Sequence, residues 1–150
     1  MKRAASLLLG LVVLSCSRSQ QARPGYGAVM AEVGQRFEVA GRAAVAHRFE
    51  LAAFEVDEMR ERFEGDLPRA ELPKEGPTSE LPAMADAFVK AHPPELARAA
   101  KSKDEHAFAE AFQHAAAACN ACHQASGHGF IQIPSVPGKS VPDLDPLPAP

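Results

Sequence analysis

The chain has 150 residues, enough for about one domain, and 46% of them are hydrophobic and 23% charged. This ordinary globular composition excludes a disordered or fibrous chain. The formal net charge of −3 argues against nucleic acid as a partner, since phosphate binding needs a basic surface. Only 6% of the residues are aromatic and alanine is frequent, which favours close-packed helices over a β-sandwich. Three cysteines are too few for a disulfide framework.

Residues 1–15 have the pattern of an export signal, with a short basic start and an apolar run over 4–14 that is too short to span a bilayer. The sequence Val-Leu-Ser before Cys16 resembles the lipobox of bacterial lipoproteins. That resemblance implies cleavage before Cys16, lipidation of its thiol and a lipid anchor in a membrane. The alternative is a plain secretory signal cut within 17–22, which removes Cys16. Both readings predict export, and residues 16–25 are predicted to form a polar tether.

Two stretches with helical periodicity follow the tether. Apolar positions spaced three and four apart run over residues 26–44 and again over 49–63. A break between residues 46 and 48 is expected, because one continuous helix would be about 57 Å long, too long for a compact domain of this size. Gly65 is expected to cap the second helix, and the segment 66–79, which contains prolines and glycine, is expected to be a loop.

Two further helices are predicted after this loop. Thr78 or Ser79 is expected to cap the third helix. Pro93 and Pro94 are expected to kink or restart it, because proline lacks an N–H and clashes with the preceding turn. Asp104 is expected to cap the fourth helix, whose apolar face leads to the last two cysteines.

Four amphipathic helices with short connections predict an all-α chain, folded as an antiparallel four-helix bundle over residues 26–130. A proline-rich extended tail with no core of its own is predicted for 131–150. In an antiparallel bundle, the start of the first and third helices lies at the same end as the finish of the second and fourth. The last turns of the fourth helix are therefore expected to face residues 26–33, 59–63 and 81–88.

The fourth predicted helix contains Cys119-Asn120-Ala121-Cys122-His123, which matches C-x-x-C-H, the attachment signature of a c-type haem. Two thiols three residues apart on a helical turn can each add to one vinyl group of the porphyrin. The adjacent imidazole can then bind the iron from the same side. The motif predicts one covalent haem c, attached through Cys119 and Cys122, with His123 as the proximal iron ligand.

Three other interpretations of the two cysteines stay open. A structural zinc site needs a fourth ligand, which only His114 or His128 could add to Cys119, Cys122 and His123. A redox-active pair is disfavoured, because the cysteines lie near a helix C-terminus, where the helix dipole opposes a thiolate. A plain structural disulfide is the third interpretation.

A helical chain with C-x-x-C-H in its last helix resembles the class II c-type cytochromes, the cytochrome c′ group. The resemblance extends over about residues 26–129 and is specific at Cys119, Cys122 and His123. This chain departs from the family in two respects. The family commonly has a basic residue shortly after the haem histidine, where this chain has the sequence Gln-Ala-Ser-Gly-His, and the proline-rich tail is additional.

The resemblance implies one of two functions, which the sixth ligand of the iron decides. Six-coordinate members take a methionine from the first helix and transfer electrons, and Met30 lies on the apolar face of the first predicted helix. Met30 is therefore the candidate distal ligand, with Met59 and Met84 as alternatives. Five-coordinate members bind a diatomic gas, nitric oxide or carbon monoxide.

The remaining predictions concern the haem wall and the partners. Phe63, Phe88 and Phe130 are candidates for the haem wall, and His92 is expected to be a surface or hydrogen-bonded residue. No Ser/His/Asp set or paired carboxylates are recognisable, so the protein is not predicted to be an enzyme. The sequence predicts electron exchange with a redox partner protein on the periplasmic side of a bacterial membrane. It leaves open whether the chain forms a homodimer and whether the membrane is the inner or the outer one.

Overall fold

The structure, a computed structural model, describes residues 23–138 and consists mainly of four α-helices. They are α1 (Tyr26–Val45), α2 (Phe49–Glu61), α3 (Leu81–Ser102) and α4 (Glu105–Ala125). These residues contain no strand, and the β-type pairing among them is an isolated bridge between Gly25 and Glu71. The predicted all-α class is therefore confirmed for the described part of the chain.

The predicted signal peptide, residues 1–15, and the lipidation candidate Cys16 lie outside the described residues. The tether is described from residue 23, and its last residues pair with Glu71. The Glu71 N–H donates to the Pro24 carbonyl and the Tyr26 N–H donates to the Glu71 carbonyl, each at 2.9 Å. Every helix within residues 23–138 is too short or too polar to cross a lipid bilayer.

Three helices end with the same hydrogen-bond pattern, in which a residue with left-handed backbone follows the helix. This residue is His47 after α1, Lys103 after α3 and Gly127 after α4, with φ of 57°, 55° and 79°. The next N–H returns to the carbonyl five residues earlier, as from Arg48 to Ala43 at 2.8 Å. The predicted break between the first two helices is confirmed, although a histidine rather than a glycine makes the turn.

The second helix does not end at Gly65, and this prediction was wrong. A π-helical segment, Arg62–Asp66, and a 3-10 turn, Leu67–Arg69, continue the helical path beyond α2. Phe63 and Leu67, four residues apart, are both buried, and this common buried face keeps the chain turning past Gly65. Phe63 therefore lies within a continuous helical path rather than at its end.

Of the two predicted effects of Pro93 and Pro94, a kink or a restart, the restart does not occur, because α3 runs through both prolines as one helix. Neither proline has an N–H to donate to the carbonyl of Val89 or Lys90. Pro93 is nevertheless buried, and Leu96 is completely buried one turn later. Burial of this face offsets the missing hydrogen bonds and keeps the helix continuous.

Among the four α-helices, α4 alone begins with a side-chain cap. The Asp104 carboxylate accepts a hydrogen bond from the Ala107 N–H at 3.0 Å, as the sequence predicted. At the start of α3, Glu80 occupies the cap position and makes no side-chain capping bond. The expected caps Thr78 and Ser79 therefore do not act in this way.

The helices pack in chain order, α1 on α2, α2 on α3 and α3 on α4, and α1 also contacts α4. The turn between α1 and α2 lies beside the turn between α3 and α4, since the Lys103 ammonium is 2.8 Å from the Glu50 carboxylate. Buried side chains from all four helices form one core. Its largest members that are almost completely buried are Phe108, Met59, Leu96, Val56 and Pro93.

The described part of the tail packs on the helices. A Cβ atom placed on Gly41 of α1 would lie 2.5 Å from the Phe112 ring of α4 and 2.8 Å from Pro137. The tail therefore lies where α1 and α4 meet, and Gly41 is the residue that lets Pro137 approach. The sequence predicted an extended tail without a core of its own but not this contact with the core of the helices.

Candidate cofactor site

A cavity of about 450 Å³ lies beside the C-x-x-C-H motif at the end of α4. Its other walls come from the first turns of α1, the π-helical segment after α2 and the first half of α3. This is the end of the molecule at which the sequence predicted these elements to meet. The volume lies within the range of roughly 300–1,000 Å³ that is usual for ligand and cofactor pockets.

Both cysteines of the motif line this cavity as free, half-buried thiols. Burial raises the pKa of Cys119 to about 12, and the charge of Cys122 contributes to this rise. Burial also raises the pKa of Cys122. Both groups are therefore protonated thiols at neutral pH in the metal-free chain, unlike the low-pKa thiolate of a redox-active pair.

His123 lines the same cavity and is held by a hydrogen bond on one ring nitrogen. Its Nδ1 lies 2.9 Å from the carbonyl oxygen of Ile131. A carbonyl can only accept, so Nδ1 carries the proton and donates it, and Nε2 keeps a free lone pair. Histidines that bind metals are usually oriented in this way by a partner on the other nitrogen.

The turn that follows α4 brings Ile131 back to His123. Gly127 adopts the left-handed backbone, and the His128 N–H donates to the His123 carbonyl at 2.7 Å. The Ile131 N–H then donates to the His128 carbonyl at 2.8 Å. The chain therefore reverses at once beyond the helix and places a peptide carbonyl beside the imidazole.

The three candidate methionines occupy different places. Met30, on α1, is half-buried and lines the cavity, and Met84, on α3, does the same. Met59 is buried in the core and is not among the residues that line the cavity. The structure thus brings Met30 and Met84, but not Met59, to the cavity that contains the C-x-x-C-H motif.

Of the three phenylalanines proposed for a haem wall, only two lie at the cavity. Phe63 and Phe88 both line the cavity, and their rings stack with centroids 4.9 Å apart. Phe130 does not line it, and its side chain is 80% exposed. Its ring instead lies 6.0 Å from that of His128. The structure therefore groups two of the three rings with the motif.

Two titratable residues that line the cavity, His92 and Tyr26, had not been predicted as site residues. The sequence predicted His92 to be a surface or hydrogen-bonded residue, yet it lines the cavity, and its buried Nδ1 has no hydrogen-bond partner among the described residues. Burial lowers the pKa of His92, and the nearby His114 adds to this effect while Glu95 opposes it. Burial, followed by the charge of Cys122, raises the pKa of Tyr26 to about 12.

A signal for His92 was present in the sequence. It follows Phe88 by four residues, so the two side chains lie on the same face of α3, and their ring centroids are 5.0 Å apart. The contact made by the Ile131 carbonyl could not be predicted in this way, because every residue has a backbone carbonyl and the side-chain pattern does not show which one makes a contact.

In residues 23–138, no group of three or more His, Cys, Asp or Glu side chains is arranged to hold a metal ion. A zinc site would need either His114 or His128 as its fourth ligand, and neither belongs to such a group, although His128 lines the cavity. His114 is exposed, and His128 Nδ1 lies 2.9 Å from the carbonyl oxygen of Ser126.

No protein-family model matches the chain, and no curated protein or solved structure matches it significantly. The function is therefore inferred from the residues and from the geometry at the end of α4.

Proposed function

We propose that this protein is an exported c-type cytochrome that carries one covalent haem c and transfers single electrons. The chain folds as an antiparallel four-helix bundle of the class II, cytochrome c′-like type, with the haem held at the end of α4. The observation that best supports this proposal is the 2.9 Å contact between His123 Nδ1 and the Ile131 carbonyl, beside two free thiols in one cavity. That contact leaves Nε2 as the iron ligand.

The residues of the cavity fit such a group. The thiols of Cys119 and Cys122 are protonated, spaced by one helical turn and next to His123. Most of the remaining lining side chains are apolar, including Phe63 and Phe88, and these would exclude water from the porphyrin. The haem iron, when bound, supplies a one-electron redox couple whose potential depends on the axial ligands and on burial.

Each residue then has a defined role. Cys119 and Cys122 form the thioether attachments, and His123 binds the iron through Nε2. Met30 would be the distal ligand, because it lines the cavity from α1, the helix that supplies the methionine in the six-coordinate members of the family that the chain resembles. A histidine and a thioether together favour low-spin iron, which suits electron transfer with a redox partner protein.

The attachment is tested by producing the full-length chain in bacteria together with the cytochrome c maturation machinery. The expected result is a coloured protein whose mass includes one haem and which gives a pyridine haemochrome after acid-acetone extraction. The variant with Cys119→Ala and Cys122→Ala should lose the covalent haem. A colourless full-length protein without the added mass would overturn the proposal and leave the zinc-binding interaction domain as the next hypothesis to test.

The distal ligand is tested by the optical spectrum of the protein that carries haem. A sharp low-spin α band with a weak thioether-to-iron band in the oxidised form is expected, and Met30→Ala should convert it to a high-spin spectrum. Met84→Ala is the matched control, since Met84 lines the same cavity from α3. A high-spin spectrum in the unaltered protein would instead favour the alternative function, in which five-coordinate iron binds nitric oxide or carbon monoxide.

The export proposal rests on the sequence of residues 1–16 and places the protein on the periplasmic side of a bacterial membrane, anchored by lipid on Cys16. The mass of the mature chain tests it. A lipid-modified N-terminus at Cys16 is expected, and a free N-terminus within residues 17–22 would indicate a plain secretory signal without an anchor.

A further inference from the structure

The segment after α4 makes a second connection to the helix, beyond the one at His123. We call residues 128–133 the C-terminal strap. Its first connection is the bond from His123 Nδ1 to the Ile131 carbonyl at 2.9 Å. Its second is made by Asn120, the residue directly after the first cysteine of the motif.

The Asn120 carboxamide bonds both polar backbone groups of Ile133. Its Nδ2 donates to the Ile133 carbonyl at 2.9 Å, and its Oδ1 accepts from the Ile133 N–H at 2.7 Å. The amide donor is paired with a carbonyl and the amide acceptor with an N–H. The two bonds therefore fix the orientation of the Asn120 side chain as well as the position of the Ile133 backbone. Two simultaneous bonds to one residue hold the strap more firmly than one would.

The register of these contacts links Asn120 to His123. The two residues are three apart on α4, so their side chains lie on neighbouring positions of one helix face. The residues that they hold, Ile131 and Ile133, are two apart on the strap. Fixing Ile133 therefore fixes the approach of the Ile131 carbonyl to the imidazole.

The bonds between Asn120 and Ile133 are part-buried, whereas the bond between His123 and Ile131 is exposed. Asn120 and Ile133 are both half-buried, and Ile133 packs against the core of the helices. Ala121, at the other variable position of the motif, is exposed. The two variable positions of C-x-x-C-H thus differ in this chain, and the first of them ties the strap to α4.

We propose that Asn120 is a positioning residue, which holds the strap so that the Ile131 carbonyl orients His123 and strengthens its donation to the iron. This role rests on the proposed function. A carbonyl acceptor on Nδ1–H makes the imidazole a more basic ligand. A more basic ligand stabilises oxidised iron relative to reduced iron, so loss of the strap contact raises the reduction potential.

The test uses the full-length protein with its haem attached. Asn120→Leu removes both amide bonds at nearly constant size, and Gln113→Leu on the exposed face of α4 is the control. The midpoint potential, measured by spectroelectrochemistry, should rise in Asn120→Leu and stay unchanged in Gln113→Leu. Loss of an outer-shell contact typically changes metal affinity or activity about 10–100-fold. If the redox equilibrium changes tenfold, the midpoint potential rises by about 59 mV for one electron.

A pair of truncations checks that Asn120 acts through the strap. A chain that ends at Phe130 lacks Ile131 and Ile133, whereas a chain that ends at Gly138 keeps them. The residues 131–138 that distinguish the two truncations carry no charged side chain. The shorter chain should have the raised potential, and Asn120→Leu within it should add nothing further.

Three outcomes separate the hypotheses. If the unaltered chain carries no haem, the proposed function fails, and the role of Asn120 fails with it. If haem is attached but Asn120→Leu leaves the potential unchanged, the positioning role alone is wrong. Where Asn120→Leu takes up no haem, the truncation pair decides, and equal potentials in the two truncated chains would overturn the role.

Discussion

The two ends of the molecule are packed differently. At the closed end, where α1 turns into α2 and α3 turns into α4, small side chains let the helices approach closely. The opposite end, the cavity end, contains the cavity beside the C-x-x-C-H motif. At the first, closed end most of the buried residues are alanines, and Phe108 is only 2% exposed among them. At the cavity end Met30, Met84 and the two motif cysteines are only half-buried. The same four helices thus form a closed core at one end and a lined space at the other.

The difference indicates that the side chains fill the interior at the closed end but leave a space at the cavity end. Protein interiors are normally packed as densely as organic crystals, and a space of about 450 Å³ beside mostly apolar walls departs from that norm. The thiols, the oriented imidazole and the thioethers in these walls are consistent with the proposed prosthetic group. The following predictions test this contrast, beginning with the largest effect.

The largest effect is expected from Phe108→Ala at the closed end. The ring is almost completely buried, so its removal leaves a cavity and should lower the free energy of unfolding by about 3–5 kcal/mol. Urea unfolding measures this loss. Phe54→Ala is the control, because that ring is 55% exposed and should cost less than about 1 kcal/mol. Equal losses in the two variants would contradict the dense packing of the closed end.

The next effect concerns the cavity end and depends on pH. Burial raises the pKa of Cys119 and of Tyr26 to about 12, from ordinary values of about 8.5 and 10. Between those values the unfolded chain has lost protons that the folded chain keeps, so the free energy of unfolding should fall as the pH rises. The stabilisation is complete below about pH 8.5 and is lost by about pH 12.

Chain produced without haem is the appropriate sample for this measurement, because thioether formation abolishes titration of the thiols. The expected loss of stability is a few kcal/mol. Cys119→Ala should make the fall shallower, and an unchanged pH profile in this variant would contradict the burial of the thiol.

A smaller effect is expected where the tail crosses the closed half of α1. Gly41→Ala places a methyl group 2.5 Å from the Phe112 ring and 2.8 Å from Pro137, and this overpacking should cost about 1–3 kcal/mol. Gly34→Ala, on the same helix, meets no atom within 4 Å and should stabilise the protein by about 0.5–1 kcal/mol through helix propensity. Thermal unfolding compares the two, and changes of the same sign would contradict the close approach of Phe112 and Pro137 to Gly41.

The smallest effect is expected from Ala85→Leu, which adds apolar volume to the cavity wall. In a closed core this enlargement would destabilise the protein, whereas here the added methyl groups enter the cavity. The haem-free chain should gain about 1 kcal/mol of stability. If the proposed haem occupies the cavity, the yield of covalent haem should fall in the same variant, since the added side chain takes up part of that space. A loss of stability without haem would argue that the cavity end is packed like the closed end.

Much of the helical framework was predictable, because hydrophobic periodicity records which face of a helix is buried. The break before Phe49 and the Asp104 cap were found from spacing and from a capping carboxylate. The exact ends were harder to predict. His47 and Lys103 adopt left-handed backbones that a glycine normally signals, and Gly65, which does give that signal, lies within a helical path.

The residues of the candidate cofactor site were predictable only where the proposed chemistry requires a fixed spacing in the chain. Cys119, Cys122 and His123 form such a pattern, and the topology of four helices predicted that Met30, Phe63 and Phe88 would lie near them. Phe130 follows the motif closely in sequence, but the turn at Gly127 directs the chain so that its ring is exposed. Closeness in sequence was therefore a poor guide beyond the end of the helix.

The amino-acid sequence by itself determined the four helices and the pair of thiols beside a histidine, because each depends on residues adjacent in the chain or one turn apart. Only the tertiary structure decided that His92 lines the cavity, that Asn120 holds Ile133 and that the Ile131 carbonyl meets His123 Nδ1. These contacts depend on where the chain returns after a turn. Local preferences do not encode that path, since it is set by the packing of distant segments.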